Sequence, residues 1–172
     1  MITTIKFAKL HQDAKTPTKR YEDAGLDLYP VFDTPYMVIL PHETFVISTG
    51  LCAALDPEYC LIIKERSSTG SKGIGVRAGV IDSGYRGDIG VAITNHNNVP
   101  IIIIKKDTPK EAVNHYSSHI IDENAIYYPY EKAIAQALVV PVPEVEIEEY
   151  TVEEINNIPS ERGIGAYGSS SK

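Results

Sequence analysis

The chain has 172 residues, which is enough for one domain with a core of its own. Its formal net charge of −7 leaves no broad cationic surface for a nucleic-acid backbone, so a polymeric nucleic-acid partner is not expected. A small phosphorylated ligand remains compatible, because a few local cations and a metal ion can offset its charge.

The start, MITTIKFAKL, has no apolar run typical of a signal peptide. No segment approaches the roughly 20 apolar residues of a membrane span. We therefore expect a soluble cytoplasmic protein without membrane contact. Cys52 and Cys60 lie in or beside apolar runs and are predicted to be free thiols.

Short segments rich in Val and Ile recur between Gly, Pro and Asn. They are YMVIL (36–40), FVISTGLCAAL (45–55), CLIIK (60–64), IGVAIT (89–94), PIIIIKK (100–106) and AIAQALVVPVP (133–143). This spacing predicts an all-β sandwich or barrel. One helix is predicted, in the polar stretch from Pro109 to about Asp122.

Two polar residues interrupt apolar segments. Asp27 lies between leucines in AGLDLY, where it either needs a partner or faces the surface by simple alternation. Gln136 interrupts AIAQALVV, and a buried amide there would require hydrogen-bond partners.

The segment KERSSTGSKGIG (64–75) places Arg66, Ser67 and Ser68 before a glycine-containing turn. A guanidinium, hydroxyls and turning backbone N–H groups suit a phosphate. The spacing is not that of a Walker P-loop, and a polar hairpin loop is the alternative interpretation.

The segment AGVIDSGYRGDIGVAITN (78–95) is predicted to form a hairpin. Asp82 follows an apolar pair at its turn, where partial desolvation would suit a general base. Capping the turn is its alternative role. Tyr85 is predicted to stack on a flat or cyclic ligand, or to pack on the sheet.

From Glu144 the chain becomes acidic and then rich in Gly and Ser, ending in ERGIGAYGSSSK. Such a segment is not expected to form a core strand. It is either a disordered tail or an arm that orders over a ligand through Arg162 and Tyr167.

Taken in order, these segments resemble the five motifs of the trimeric dUTPase family. The matching segments are AGLDLY, RSSTGSKGI, AGVIDSGYRGDIGVAITN, IAQALVVPV and RGIGAYGSS, of which the third is the most specific. The resemblance implies a distorted jelly roll or β-barrel. It also implies a β domain over residues 1–143 and a C-terminal extension with a flexible active-site arm over residues 144–172.

The activity implied is hydrolysis of dUTP to dUMP and pyrophosphate, which limits uracil in DNA and supplies dUMP for dTMP synthesis. Asp82 would activate a water that attacks the α-phosphorus, with Asp27 and Arg66 as the other catalytic residues. Mg²⁺ is the implied cofactor, held by the substrate phosphates and waters rather than directly by the chain, with Asp27 acting through water.

The family's substrate contacts also carry over. Tyr85 would pack on the deoxyribose, the hairpin backbone would read uracil, and the arm would close over the substrate. The implied substrate-binding residues are Ser67, Ser68, Ala78, Gly79, Ile81, Tyr85, Gln136, Arg162, Tyr167, Gly168 and Ser169. Each site would combine residues of three subunits, so the resemblance implies a homotrimer.

Several positions depart from the family pattern: Arg77 replaces a frequent Gly, Ala133 an Arg, Ala166 a Gly and Tyr167 a Phe. Arg77 would either point away from the site or contact the nucleotide. Residues from about 105 to 130 are interpreted as an insertion. It is either a neutral decoration or a lobe that binds a protein partner, as suggested by Tyr116, Tyr127, Tyr128 and Tyr130.

Two rival functions remain at this point. A dCTP deaminase has a similar fold but needs a glutamate where this chain has Ala92, three residues before Asn95. The other rival is a non-catalytic or moonlighting member of the fold that binds protein, which five chemically suited positions in register argue against.

Overall fold

The computed structural model describes residues 3–109, 113 and 124–164. The chain divides into two compact units, Met1–Val142 and Pro143–Lys172. In the described part, no helix is both long enough and apolar enough to cross a membrane.

The first unit is built of short β-strands. They are β1 (Lys6–Lys9), β2 (Gly25–Leu28), β3 (Tyr36–Ile39), β4 (Thr44–Ser48), β5 (Leu51–Ala54), β6 (Tyr59–Lys64), β7 (Ile74–Arg77), β8 (Val80–Ile81), β9 (Gly90–Asn95), β10 (Ile101–Ile104), β11 (Ile126–Pro129) and β12 (Ala135–Pro141). A single helical turn, α1 (Ser67–Gly70), follows β6. The predicted all-β fold is confirmed.

The described strands form four small sheets. A four-stranded sheet has the order β2-β12-β6-β8, and two three-stranded sheets have the orders β4-β9-β7 and β11-β10-β3. The strands β1 and β5 form a pair. All pairs are antiparallel except β10 with β11.

The core follows the apolar segments that the sequence singles out. On β9, Val91 and Ile93 are 0% and 1% exposed, in alternation with more accessible neighbours. On β10, Ile101, Ile102 and Ile103 are all buried, as expected for a strand covered on both faces. Burial of each such side chain stabilises the fold by about 1.5–3 kcal/mol.

The hairpin predicted over residues 78–95 is wrong. Val80 and Ile81 pair with β6, whereas β9 pairs with β4 and β7. Between β8 and β9 the chain therefore crosses from one sheet to another instead of folding back on itself.

Three strands, β1, β7 and β11, were not predicted. The first two are short and carry charged or glycine residues. β11 lies inside the segment interpreted as an insertion, yet it adds a parallel strand to β10. Tyr128 on β11 is 2% exposed and Tyr130 packs edge-on against Phe32, so neither ring is a free surface for a partner.

Residues 126–130 are therefore part of the packed first unit, and the choice between a neutral decoration and a partner-binding lobe stays a prediction. The helix predicted from Pro109 to Asp122 lies largely outside the described residues, as does Tyr116; Val113 within it is buried.

The second unit contains no strand in its described residues 143–164. Its one helix there, α2 (Val152–Asn156), begins with a capping box in which the Thr151 and Glu154 side chains each bond the other's backbone N–H. All of these residues are exposed.

Replacing Ile93 by Ala should lower the free energy of unfolding by about 3 kcal/mol, because it opens a cavity at the centre of β9. Denaturant unfolding at a fixed protein concentration measures this. The matched control is Leu10→Ala at a 57% exposed site, and an equal loss in both variants would contradict the core described here.

Candidate active site

A polar cleft of about 670 Å³ opens beside the α1 turn. Its lining combines Asp27 of β2, Gln136 of β12, the residues Arg66, Ser67 and Ser68 around α1, and the loop between Thr18 and Gly25. The structure therefore brings together five of the residues that the sequence predicts as site residues.

An ion pair joins β2 to the α1 turn. Arg66 Nε lies 2.8 Å from Asp27 Oδ1 and Arg66 Nη2 lies 3.3 Å from Asp27 Oδ2, which is a two-pronged geometry. Both side chains are about 30% exposed. Asp27 thus has the partner that its apolar flanks require.

The predicted glycine-containing turn is one turn of helix. Buried Thr69 accepts a hydrogen bond from Arg66 N and donates one to Arg66 O, both at 3.0 Å. These bonds fix the backbone at Arg66, just after the end of β6. They therefore set where Arg66, Ser67 and Ser68 begin to line the cleft.

Gln136 lies opposite Asp27 on β2 and opposite Lys64 on β6 in the strand register. Its Nε2 donates to Glu65 O at 2.7 Å, so the amide predicted to need partners has one. Gly25 is required beside it, because a Cβ there would overlap Gln136 Oε1.

Glu65 is a residue that the sequence reasoning missed. Its carboxylate accepts a hydrogen bond from Val76 N at 3.0 Å and pairs with Lys64 at 3.0 Å. The bond from the Val76 N–H lowers the pKa of Glu65 to about 2. In the sequence Glu65 looks like one member of a charged surface pair with Lys64. Its role becomes visible only from the hydrogen bond to Val76 N in the structure.

A second group of predicted residues lies on and beside β8, outside the cleft lining. Ala78 has a left-handed φ of 49°, and a Cβ at Gly79 would overlap Ile63 O, so this backbone lies directly against β6. Ile81 pairs with Leu61 of β6.

Asp82 is exposed, so the prediction that apolar neighbours partly desolvate it is wrong for the single chain. The reason is that β8 lies at a sheet edge, with Val80 itself 63% exposed. The turn is nevertheless well fixed: Tyr85 N donates to Asp82 O at 3.1 Å, and Arg86 Nη1 donates to Ser83 O at 2.6 Å.

Tyr85 is 46% exposed and its hydroxyl donates to Asp88 O at 3.0 Å. A Cβ at Gly87 would collide with that hydroxyl, so the ring lies back over its own turn. The Tyr85 ring is therefore both accessible and held in place, as stacking on a ligand requires.

Of the departures from the family pattern, Arg77 donates from Nε to Thr94 Oγ1 of β9 at 2.9 Å. The Arg77 side chain is thus hydrogen-bonded to the neighbouring strand of its own sheet. Ala133 contributes a backbone carbonyl that accepts from Arg66 Nη1 at 3.5 Å and from Tyr128 at 2.7 Å.

In the C-terminal unit, Arg162 is exposed and its N–H donates to Ser160 Oγ at 3.3 Å. Gly163 has a positive φ of 55°, which suits a bend at the start of the predicted arm. Ala166, Tyr167, Gly168 and Ser169 lie outside the described residues.

Because the pKa of folded Glu65 is about 2, below its ordinary 4.5, the group stabilises the fold above pH 4.5 and loses this effect as pH falls towards 2. The contribution is about 1–3 kcal/mol. Unfolding free energies of wild type and Glu65→Gln should therefore differ at pH 6 and converge near pH 2.

Glu58→Gln, which removes an exposed carboxylate, is the matched control for the lost charge. A gap between wild type and Glu65→Gln that stays constant from pH 6 to pH 2 would contradict the lowered pKa of Glu65.

Comparison with known proteins identifies the family. The dUTPase family model matches residues 12–108. A deoxyuridine 5'-triphosphate nucleotidohydrolase of Nautilia profundicola is 36% identical over 98% of this chain and 99% of its own. The solved structure of the Staphylococcus bacteriophage 80alpha dUTPase with dUpNHpp has a TM-score of 0.67 at 25% identity, covering 98% and 99% of the two chains.

A mutant dUTPase from phage phi11 of S. aureus, described with a coordinated structural Mg(II) ion, has a TM-score of 0.63 at 23% identity over 86% of this chain and 96% of its own. The family model spans more than half of the chain, and the bacterial relative aligns with nearly all of it. This protein therefore belongs to the dUTPase family.

Proposed function

We propose that this protein hydrolyses dUTP to dUMP and pyrophosphate at the cleft beside α1. The observation that carries the proposal is the joining of Asp27, Arg66 and Gln136 in one polar cleft of a dUTPase-family chain. The bacterial relative carries the name of this activity, and the phage enzyme is described with the dUTP analogue dUpNHpp.

Arg66, Ser67, Ser68 and Gln136 hold the phosphate chain in this proposal. The guanidinium has five N–H donors, and Asp27 and Ala133 engage three of them. The remaining donors and the two hydroxyls suit phosphate oxygens. Asp27 also keeps the Arg66 guanidinium in one orientation before substrate arrives. This lowers the entropic cost of ordering the Arg66 side chain on binding.

The donors present fit Mg²⁺. Asp27 supplies a hard carboxylate oxygen at the cleft, and Mg²⁺ is commonly bound through one or two carboxylates together with substrate phosphates and waters. Because Arg66 already engages Asp27, a contact through water suits this carboxylate better than direct ligation. When bound, the ion would neutralise phosphate charge.

Asp82 is the general base of the proposed reaction. It accepts a proton from a water whose oxygen bonds to the α-phosphorus, while the bond from that phosphorus to the bridging oxygen breaks and pyrophosphate leaves. Its separation from the cleft lining in one chain supports a site shared between subunits of a homotrimer, in which another chain's cleft covers Asp82.

Selectivity for deoxyuridine follows from the same segment. The exposed ring of Tyr85 packs on the deoxyribose, where a 2′-hydroxyl would clash. The backbone at Ala78, Gly79 and Ile81 reads the uracil edge. Residues 144–172 form the extension whose arm closes over the substrate through Arg162, Tyr167, Gly168 and Ser169, which excludes bulk water.

Asp82→Asn should lower kcat for dUTP by about 10²–10⁴-fold, because the amide cannot accept the proton. Wild type, Asp82→Asn and the matched control Asp107→Asn are incubated with dUTP, dCTP, dTTP or UTP and Mg²⁺, and dUMP, pyrophosphate and ammonia are measured. Asp107 is an exposed aspartate outside the cleft lining and should keep full activity.

Turnover of dUTP alone supports the proposal. Ammonia from dCTP would instead make the protein a deaminase, and no turnover of any nucleotide would favour a binding protein of this fold.

A further inference from the structure

Tyr128 connects the segment before β12 to the cleft. It lies on β11, outside residues 12–108 that the family model matches, and it is 2% exposed. Its ring belongs to the main hydrophobic core. A buried hydroxyl in that position needs a hydrogen-bond partner, and its partner is a carbonyl that Arg66 also contacts.

The Tyr128 hydroxyl donates to Ala133 O at 2.7 Å, and the same carbonyl accepts from Arg66 Nη1 at 3.5 Å. The Ser68 side chain and the Arg66 guanidinium also interact electrostatically with this hydroxyl. It therefore touches two of the proposed phosphate-binding residues from the protein interior.

The ring packs beneath the same turn. Tyr128 and Thr69 line one interior void of about 10 Å³, and the Lys72 ammonium lies 5.9 Å from the ring centroid. Burial raises the pKa of Tyr128 above its ordinary value of 10.0. The hydroxyl thus stays protonated and remains a donor at neutral pH.

We propose that Tyr128 is a positioning residue that holds Arg66 and Ser68 in their phosphate-binding orientation through its hydroxyl. The inference rests on the proposed function of the cleft. Tyr128 does not line the cleft, so it acts on substrate only through these two side chains. The segment before β12 thereby has a part in substrate binding that neutral decoration would lack.

The test is Tyr128→Phe, which removes one hydroxyl and keeps the ring. The matched control is Tyr130→Phe: this tyrosine follows the same strand, its ring packs against Phe32, and it does not line the cleft. Tyr128→Phe should raise KM for dUTP about 3- to 10-fold with kcat changed less than twofold, since one hydrogen bond supporting ground-state binding is lost.

A KM equal to that of Tyr130→Phe would overturn the inference, as would a fall in kcat without a change in KM. Thermal unfolding of both variants establishes that each is folded at the assay temperature. If Tyr128→Phe is unfolded at that temperature, Tyr128→Met, which also removes the hydroxyl and keeps an apolar side chain, replaces it. The inference predicts a raised KM in this variant too, and an unchanged KM overturns it.

Pyrophosphate binding by calorimetry separates this inference from the proposed function. Tyr128→Phe should weaken pyrophosphate binding by a factor similar to the rise in KM, and Tyr130→Phe should leave it unchanged. If wild type fails to hydrolyse dUTP, the proposed function fails, and the pyrophosphate comparison still decides the role of Tyr128. Equal pyrophosphate affinity in all three proteins would reject it.

Discussion

The register of three adjacent strands is the constraint on which the cleft depends. In the sheet β2-β12-β6, Gln136 lies between Asp27 and Lys64, and Arg66 follows the end of β6 by two residues. A shift of β12 by one residue would turn Gln136 to the opposite face and replace it by an alanine. The buried alanines on either side of Gln136 oppose such a shift, because their face belongs to the core. Core packing therefore fixes the placement of the polar site residues.

The proposed site residues lie in two separate places on the single chain. The described residues place Asp27, Arg66 and Gln136 in one cleft, whereas Asp82 lies at the exposed edge strand β8. An exposed general base gains little from the single chain, since water screens its interactions. Burial against another copy would supply the low-dielectric surroundings that catalysis favours. An active site formed between chains would therefore explain why Asp82 is exposed in the single chain although its turn is well fixed.

The sequence predicted the all-β fold, most of the strands and the residues that gather in the cleft. Strong Val and Ile runs such as β9 and β10 were visible because core strands are nearly continuous in apolar residues. Strand partners were not visible: β8 pairs with β6 rather than β9, and pairing depends on distant core contacts that no local pattern encodes. Glu65 was missed, and Tyr128 was interpreted as part of a partner-binding lobe, for a similar reason: their hydrogen-bond partners, Val76 N and Ala133 O, are backbone atoms.

We propose that Asp27 and Asp82 of different chains serve one active site, and mixing two inactive variants tests this arrangement. Asp27→Asn and Asp82→Asn chains are unfolded together, refolded at equal concentrations and assayed with dUTP. If the site is shared, some sites in mixed assemblies contain both intact aspartates, so activity should return to a substantial fraction of wild type while each variant refolded alone stays inactive. If both aspartates of a site came from one chain, every site would lack one of them. Mixed samples that assemble but are no more active than the separate variants would show that the site is not shared.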